Sequence, residues 1–178
     1  MIETRDESRR KPLTISLLPG VVLMLLASVL LFVFLQGPGT YPRPRKVMCM
    51  ANLKSLGAAL RQYAADNDGR YPLGAQWCDL LREAAVDPER FTCPNDKKGP
   101  CSYAMNPDAD PNDTGDIVLL FESRPGWNLA GGAELLTTEN HQGQGCCVLF
   151  TDGHIEFVKT EDVASLRWKP QDGDIAGP

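Results

Sequence analysis

The residue types able to do chemistry are few and unevenly placed. Six cysteines (Cys49, Cys78, Cys93, Cys101, Cys146 and Cys147) share the 178-residue chain with two histidines, His141 and His154, and one acid-rich segment, Asp108 to Asp116. Cysteines pair in an oxidising compartment, and six of them allow about 15 pairings. Cys93 and Cys101 bracket a short Pro-flanked loop and are candidates for one bridge. Cys49 with Cys93 is a rival, and Cys146, on the strand face of Val148, is a further candidate partner for Cys49. Cys146 and Cys147 point to opposite faces of a strand, so a bond between them is strained. A zinc site is disfavoured, since no Cys-x2-Cys pair exists and histidines are scarce. A dithiol redox enzyme also needs Cys-x-x-Cys. A hydrolase built from Cys146 or Cys147 with His141 and Asp152 has no spacing that fixes its geometry. The sequence therefore assigns no catalytic residue and no required cofactor.

Calcium is the one ion with candidate ligands. Asp108, Asp110 and Asn112 supply oxygens at positions 1, 3 and 5, as an EF-hand loop begins, and Asp116 follows. The pattern then breaks: Asp113 stands where the turn glycine belongs and Leu119 where the bidentate Glu belongs. A solvated turn cluster explains the same residues.

The elements that must position these groups follow from composition and period. The chain carries 18 Lys+Arg against 23 Asp+Glu, a net charge of -5, which argues against nucleic acid as a partner. Its 16 Gly and 14 Pro point to a loop-rich domain. Ile15 to Leu35 contains no charge, and its 21 residues would rise about 31 Å as a helix, enough for a bilayer core. The expectation is a cytoplasmic tail over 1–13, a transmembrane anchor over 14–36 in contact with lipid and a Pro/Gly linker over 37–45. An extracytoplasmic domain over 46–168 and a flexible tail over 169–178 complete it. Arg5, Arg9, Arg10 and Lys11 before the run, and all six cysteines after it, orient this arrangement in the inner membrane.

Beyond the linker, Cys49, Leu53, Leu56, Leu60 and Tyr63 recur at helical spacing, and Asp66-Asn67-Asp68-Gly69 ends the pattern. A second helix is expected over Gln76–Ala85, burying Trp77, Leu80, Leu81 and Ala84. Strands are expected at Ser102–Met105 and Ile117–Glu122, then a hairpin turning on Asp152-Gly153 as a two-residue loop. That register pairs Phe150 with Ile155 and Val148 with Phe157 on one buried face, which the amphipathic helix would cover. A short helix follows Thr160. The fold class is α+β: an N-terminal transmembrane helix, then an amphipathic helix packed on a small antiparallel sheet.

Several strings, in this order, resemble bacterial pilin-like and type II secretion pseudopilin-like proteins. They are Cys49-Met-Ala-Asn52-Leu53-Lys54-Ser-Leu56-Gly57, Gly69-Arg-Tyr71-Pro72, Phe91-Thr-Cys93-Pro94, Ser102-Tyr103-Ala-Met-Asn106 and Val148-Leu149-Phe150-Thr-Asp152-Gly153. The chain is most similar to the prepilin-type processing-associated subgroup with a C-terminal His-x9-Asp-Gly segment, here His141, Asp152 and Gly153. Ten residues, not nine, separate His141 from Asp152, and no Gly-Phe prepilin cleavage site precedes the apolar run. The resemblance implies a pilin-like fold. It also implies a non-enzymatic, membrane-anchored envelope protein that contacts other pseudopilin-like proteins in a secretion or pilus-like assembly. The alternative is a calcium-dependent binding module or an envelope enzyme using the Asp108–Asp116 loop or the His141/Asp152 region.

Overall fold

The computed structural model describes residues 18–35, 45–96, 99–113 and 115–170. The expected tail over 1–13, the linker up to residue 44 and residues 171–178 lie outside them. The chain divides into two compact units, Met1–Pro42 and Arg43–Pro178.

The first unit contributes helix α1, Leu18–Leu35, of 18 residues. At ~1.5 Å per residue it is roughly 27 Å long, short of the ~30 Å hydrocarbon core that about 20 residues span. Among the described residues, no helix is long and apolar enough to cross a membrane. This corrects the transmembrane anchor expected over 14–36 and the single-pass inner-membrane localisation drawn from it.

The second unit opens with α2, Arg45–Asp66, which buries Cys49, Asn52, Leu53, Leu56, Gly57, Leu60 and Ala64 along one stripe. The chain leaves this helix through Gly69, whose N–H donates to the Ala64 carbonyl at 2.9 Å from a positive φ of 69°. The next helix, α3, is shorter than expected, Trp77–Glu83, and buries Trp77, Cys78 and Leu81. Ala84 is exposed and Leu80 only half-buried. Its start is fixed from afar, since Asn128 Oδ1 accepts from the backbone N–H of Cys78 (2.7 Å) and Asp79 (3.3 Å). That places the first turn so that Cys78, rather than Leu80, faces inward.

Four strands follow: β1 Tyr103–Met105, β2 Val118–Glu122, β3 Gly145–Phe150 and β4 Ile155–Lys159. They form one antiparallel sheet in the order β1-β2-β3-β4, as expected of an α+β chain. The segment after Thr160 is a 3-10 helix, Thr160–Ser165.

The hairpin register differs from the expected one. Leu149 pairs with Ile155, Val148 with Glu156 and Cys147 with Phe157. Three residues, Thr151 to Gly153, make the turn: Gly153 N–H donates to Phe150 O (2.9 Å) and Phe150 N–H to His154 O (3.0 Å). Gly153 adopts φ 90°, the left-handed position that such a loop assigns to glycine. A shift of one residue exchanges the faces of a strand. Val148 and Phe150 therefore share one face with Cys146 and Val158, while Ile155 and Phe157 lie on the other with Cys147 and Leu149.

The expected single buried face is likewise corrected: every residue of β3 is buried. One face packs on α2, so closely that a Cβ at Gly57 would run into the Leu149 side chain. The other face is covered by Leu129, Leu135, Leu136, Val163, Leu166 and Trp168.

Candidate functional site

Five side chains with chemical capacity meet near the first turns of α2. Cys49 comes from that helix, Cys93 from the turn after the 3-10 segment Pro88–Phe91, and Glu122 from the end of β2. His141 closes the 3-10 segment Glu139–His141, and Cys147 lies in β3. Cys49 and Cys93 form a disulfide with Cα atoms 5.3 Å apart, closing 44 residues of chain. Glu122 is fully buried, an expensive place for a carboxyl unless it is well partnered. Its Oε2 accepts from the Cys147 backbone N–H at 2.7 Å and lies 2.9 Å from His141 Nε2. The Cys147 thiol lies 3.9 Å from that same nitrogen. Phe157 stands edge-on to the imidazole at 5.2 Å and carries Lys46 Nζ over its face at 3.9 Å.

The cluster does not make a cysteine nucleophile. Burial first, then the charge of Glu122, push the Cys147 thiol well above its ordinary value, so it keeps its proton. A triad also uses two ring nitrogens, one for the nucleophile and one for the orienting carboxylate. Here a single nitrogen faces both. What the cluster does offer is a ligand set: one atom each from Cys49, Cys93, Glu122 and His141 lie within 4.8 Å of one another, all buried.

The other candidates are placed apart. Cys101 forms no disulfide with Cys93, which is bonded to Cys49; it is a free thiol, hydrogen-bonded to that of Cys78. Cys146 faces the second core, across the sheet from Cys49, because α2 packs on the face of β3 that carries Cys147 and Leu149. His141 and Asp152 do not meet: Cys147, which touches His141, lies five residues before Asp152, or about 16 Å along an extended strand. At the hairpin tip, Asp152 pairs with His154 Nδ1 at 2.6 Å, and the imidazole stacks on Phe150 at 4.1 Å between centroids. Burial raises the Asp152 carboxyl, but the hydrogen bonds and charge of His154, with the charge of Arg61, more than offset it and leave it low. The Arg61 guanidinium lies over Gly153. A groove of about 400 Å³ beside this tip is lined by His154, Glu156, Asp162 and Arg167 among others.

In the acidic loop, Asp108 pairs with Lys169 at 3.1 Å and Asp116 with Arg167. Asp110 Oδ1 accepts from the backbone and side-chain N–H groups of Asn112 at 2.8 and 2.9 Å. Asp113 Oδ2 accepts from the Asp110 N–H at 2.7 Å. These oxygens turn toward their own loop and toward cations of the C-terminal segment. They do not gather with other His, Cys, Asp or Glu ligands among the described residues.

Sequence reasoning missed Glu122 and the thiol pair of Cys78 with Cys101. The one available signal for Glu122 was a charge ending the otherwise apolar run Ile117–Phe121. Compared with family models, curated proteins and solved structures, the chain matches none. The resemblance to pseudopilin-like proteins rests on the ordered strings.

Proposed function

We propose that this chain is a non-enzymatic binding protein of pseudopilin-like build, acting through contacts with other proteins in a secretion or pilus-like assembly. One observation carries the reading. The 22-residue α2 lies on an antiparallel sheet, while Cys147 and Glu122 are fully buried and His141 is 8% exposed. The groups of this cluster are turned inward, which favours recognition through shape and charge over chemistry at these side chains.

Cross-linking in the native cell from the exposed Lys54 and Lys159, followed by peptide sequencing, tests it. The expected result is links at defined positions to a second copy or to a protein of the same helix-on-sheet build. A chain recovered without intermolecular links would overturn it.

A further inference from the structure

We propose that the Cys49, Cys93, Glu122 and His141 cluster is a reduction-gated site for a divalent ion of the zinc class. Two thiolates, an imidazole and a carboxylate form a tetrahedral donor set of borderline softness, suited to zinc rather than to calcium or magnesium. Zinc bonds of ~2.0–2.1 Å to nitrogen or oxygen set a tetrahedral edge of about 3.3 Å. The His141 Nε2 and Glu122 oxygens stand 2.9 and 3.1 Å apart, so they need to open by only a few tenths of an ångström. Around an ion with ~2.3 Å zinc–sulfur bonds, the separations of up to 4.8 Å contract to about 3.6 Å, while the two sulfurs, bonded to each other in the oxidised chain, move apart to about 3.8 Å.

Two further observations point the same way. Glu122 is wholly buried, and its ion-pair partner among the described residues is His141 alone. A cation there meets an existing demand for positive charge. Both sulfurs are also held in place independently of their bond. Cys93 N–H donates to Ser102 Oγ at 2.8 Å, and Asn52 Nδ2 donates to Thr92 O at 2.9 Å, tying the Cys93 turn to α2. The neighbouring Leu53 and Leu56 are fully buried. Breaking the sulfur–sulfur bond leaves the two thiols facing each other.

The gating step balances as follows. A dithiol reductant gives two electrons and two protons; the Cys49–Cys93 bond breaks, two S–H bonds form, and the reductant closes its own disulfide. The ion then displaces those two protons, forming two metal–sulfur bonds beside the His141 nitrogen and a Glu122 oxygen. In the oxidised chain the sulfurs are committed to each other and the site is shut.

The test uses the full chain, oxidised or reduced with a dithiol that is then removed anaerobically, titrated with Zn²⁺ alone and with Co²⁺ as a spectroscopic probe. The reduced chain is expected to take one equivalent, to show tetrahedral cobalt bands with sulfur charge transfer, and to melt higher as free Zn²⁺ rises. The oxidised chain is expected to show none of these. Glu122→Gln keeps an oxygen for the Cys147 N–H and is expected to weaken zinc binding by about 10-fold or more, with far-UV circular dichroism confirming the fold. A reduced, folded chain that binds no zinc would overturn the proposal. So would equal binding in the oxidised chain, or binding unmoved by Glu122→Gln, which would assign the ion to other thiols.

Discussion

Asn106 and Trp168, 62 residues apart, are joined by one hydrogen bond: Asn106 Nδ2 donates to the Trp168 carbonyl at 2.8 Å. The same amide donates to Val118 O at 2.8 Å, and its Oδ1 accepts from Asp108 N–H at 3.0 Å. This buried side chain fastens the C-terminal segment, whose Trp168 ring packs edge-on against Phe121 at 4.8 Å, over the second core. Asn106→Ala leaves two carbonyls and one N–H without that partner. It is expected to cost about 1–3 kcal/mol for each group that stays dry, read as a lower urea midpoint.

Removing His141 exposes the cost of Glu122. His141→Ala leaves a buried carboxyl with the Cys147 N–H as its remaining partner and is expected to destabilise by about 3–5 kcal/mol. Adding Glu122→Gln is expected to recover part of that loss. Strict additivity in the double-mutant cycle would show that the two side chains are not coupled.

The disulfide closes 44 residues. Chain-entropy arithmetic gives about 4 kcal/mol for a loop of that length. Reduction in the presence of a chelator is therefore expected to lower unfolding stability by about that amount, measured by denaturant titration with and without reductant.

At the hairpin tip, Gly153→Ala forces a Cβ into a left-handed position under the Arg61 guanidinium. The expected cost is about 1–2 kcal/mol. Arg61→Ala in the same chain relieves the contact but not the backbone strain, so the loss should persist in large part.

The pH dependence has two signs. Burial pushes the Cys146 thiol from an ordinary 9.0 up to about 12. A raised folded value means that the stabilisation is full below 9 and is lost as pH climbs toward about 12, because the unfolded thiol ionises first. Asp79 is held low by hydrogen bonds from Trp127 Nε1 (2.8 Å) and Asn128 Nδ2 (2.5 Å), and Asp152 is low as well. Their contribution is present above an ordinary carboxyl value of about 3.9 and is lost as pH falls through the folded values. Melting temperature is expected to fall at both ends. A flat profile from pH 9 to 11 would argue that Cys146 is open to water.

The helix on the sheet was legible in the sequence because its apolar stripe repeats at 3.6 residues from Cys49 to Leu60. The hairpin was legible too, but not its register. Asp152-Gly153 suits a two-residue turn as well as a three-residue one, and only the pairing of Leu149 with Ile155 decides between them. The cover on the second face was hidden because Leu129, Leu135 and Val163 come from a loop and from 3-10 segments too short to show a period. The anchor over 14–36 was drawn from an uncharged run, and the absence of charge does not by itself fix a helix; the described helix is Leu18–Leu35. His141 was visible as a motif residue, whereas its partner Glu122 was not. The contacts of Glu122 arise 19 and 25 residues further along the chain, and no local pattern encodes them.

The burial of both faces of β3 has one more consequence. Because side chains alternate along β3 and both of its faces are covered, the adjacent Cys146 and Cys147 lie in separate compartments of the same molecule. The sheet becomes a partition between sulfur chemistries. A thiolate arising beside the disulfide can trade partners on its own side. Enlisting Cys146 would require peeling β3 away from β2 and β4 together. Isomers that pair Cys146 are thus confined to the unfolded chain, and the finished sheet keeps that thiol out of any exchange with the disulfide.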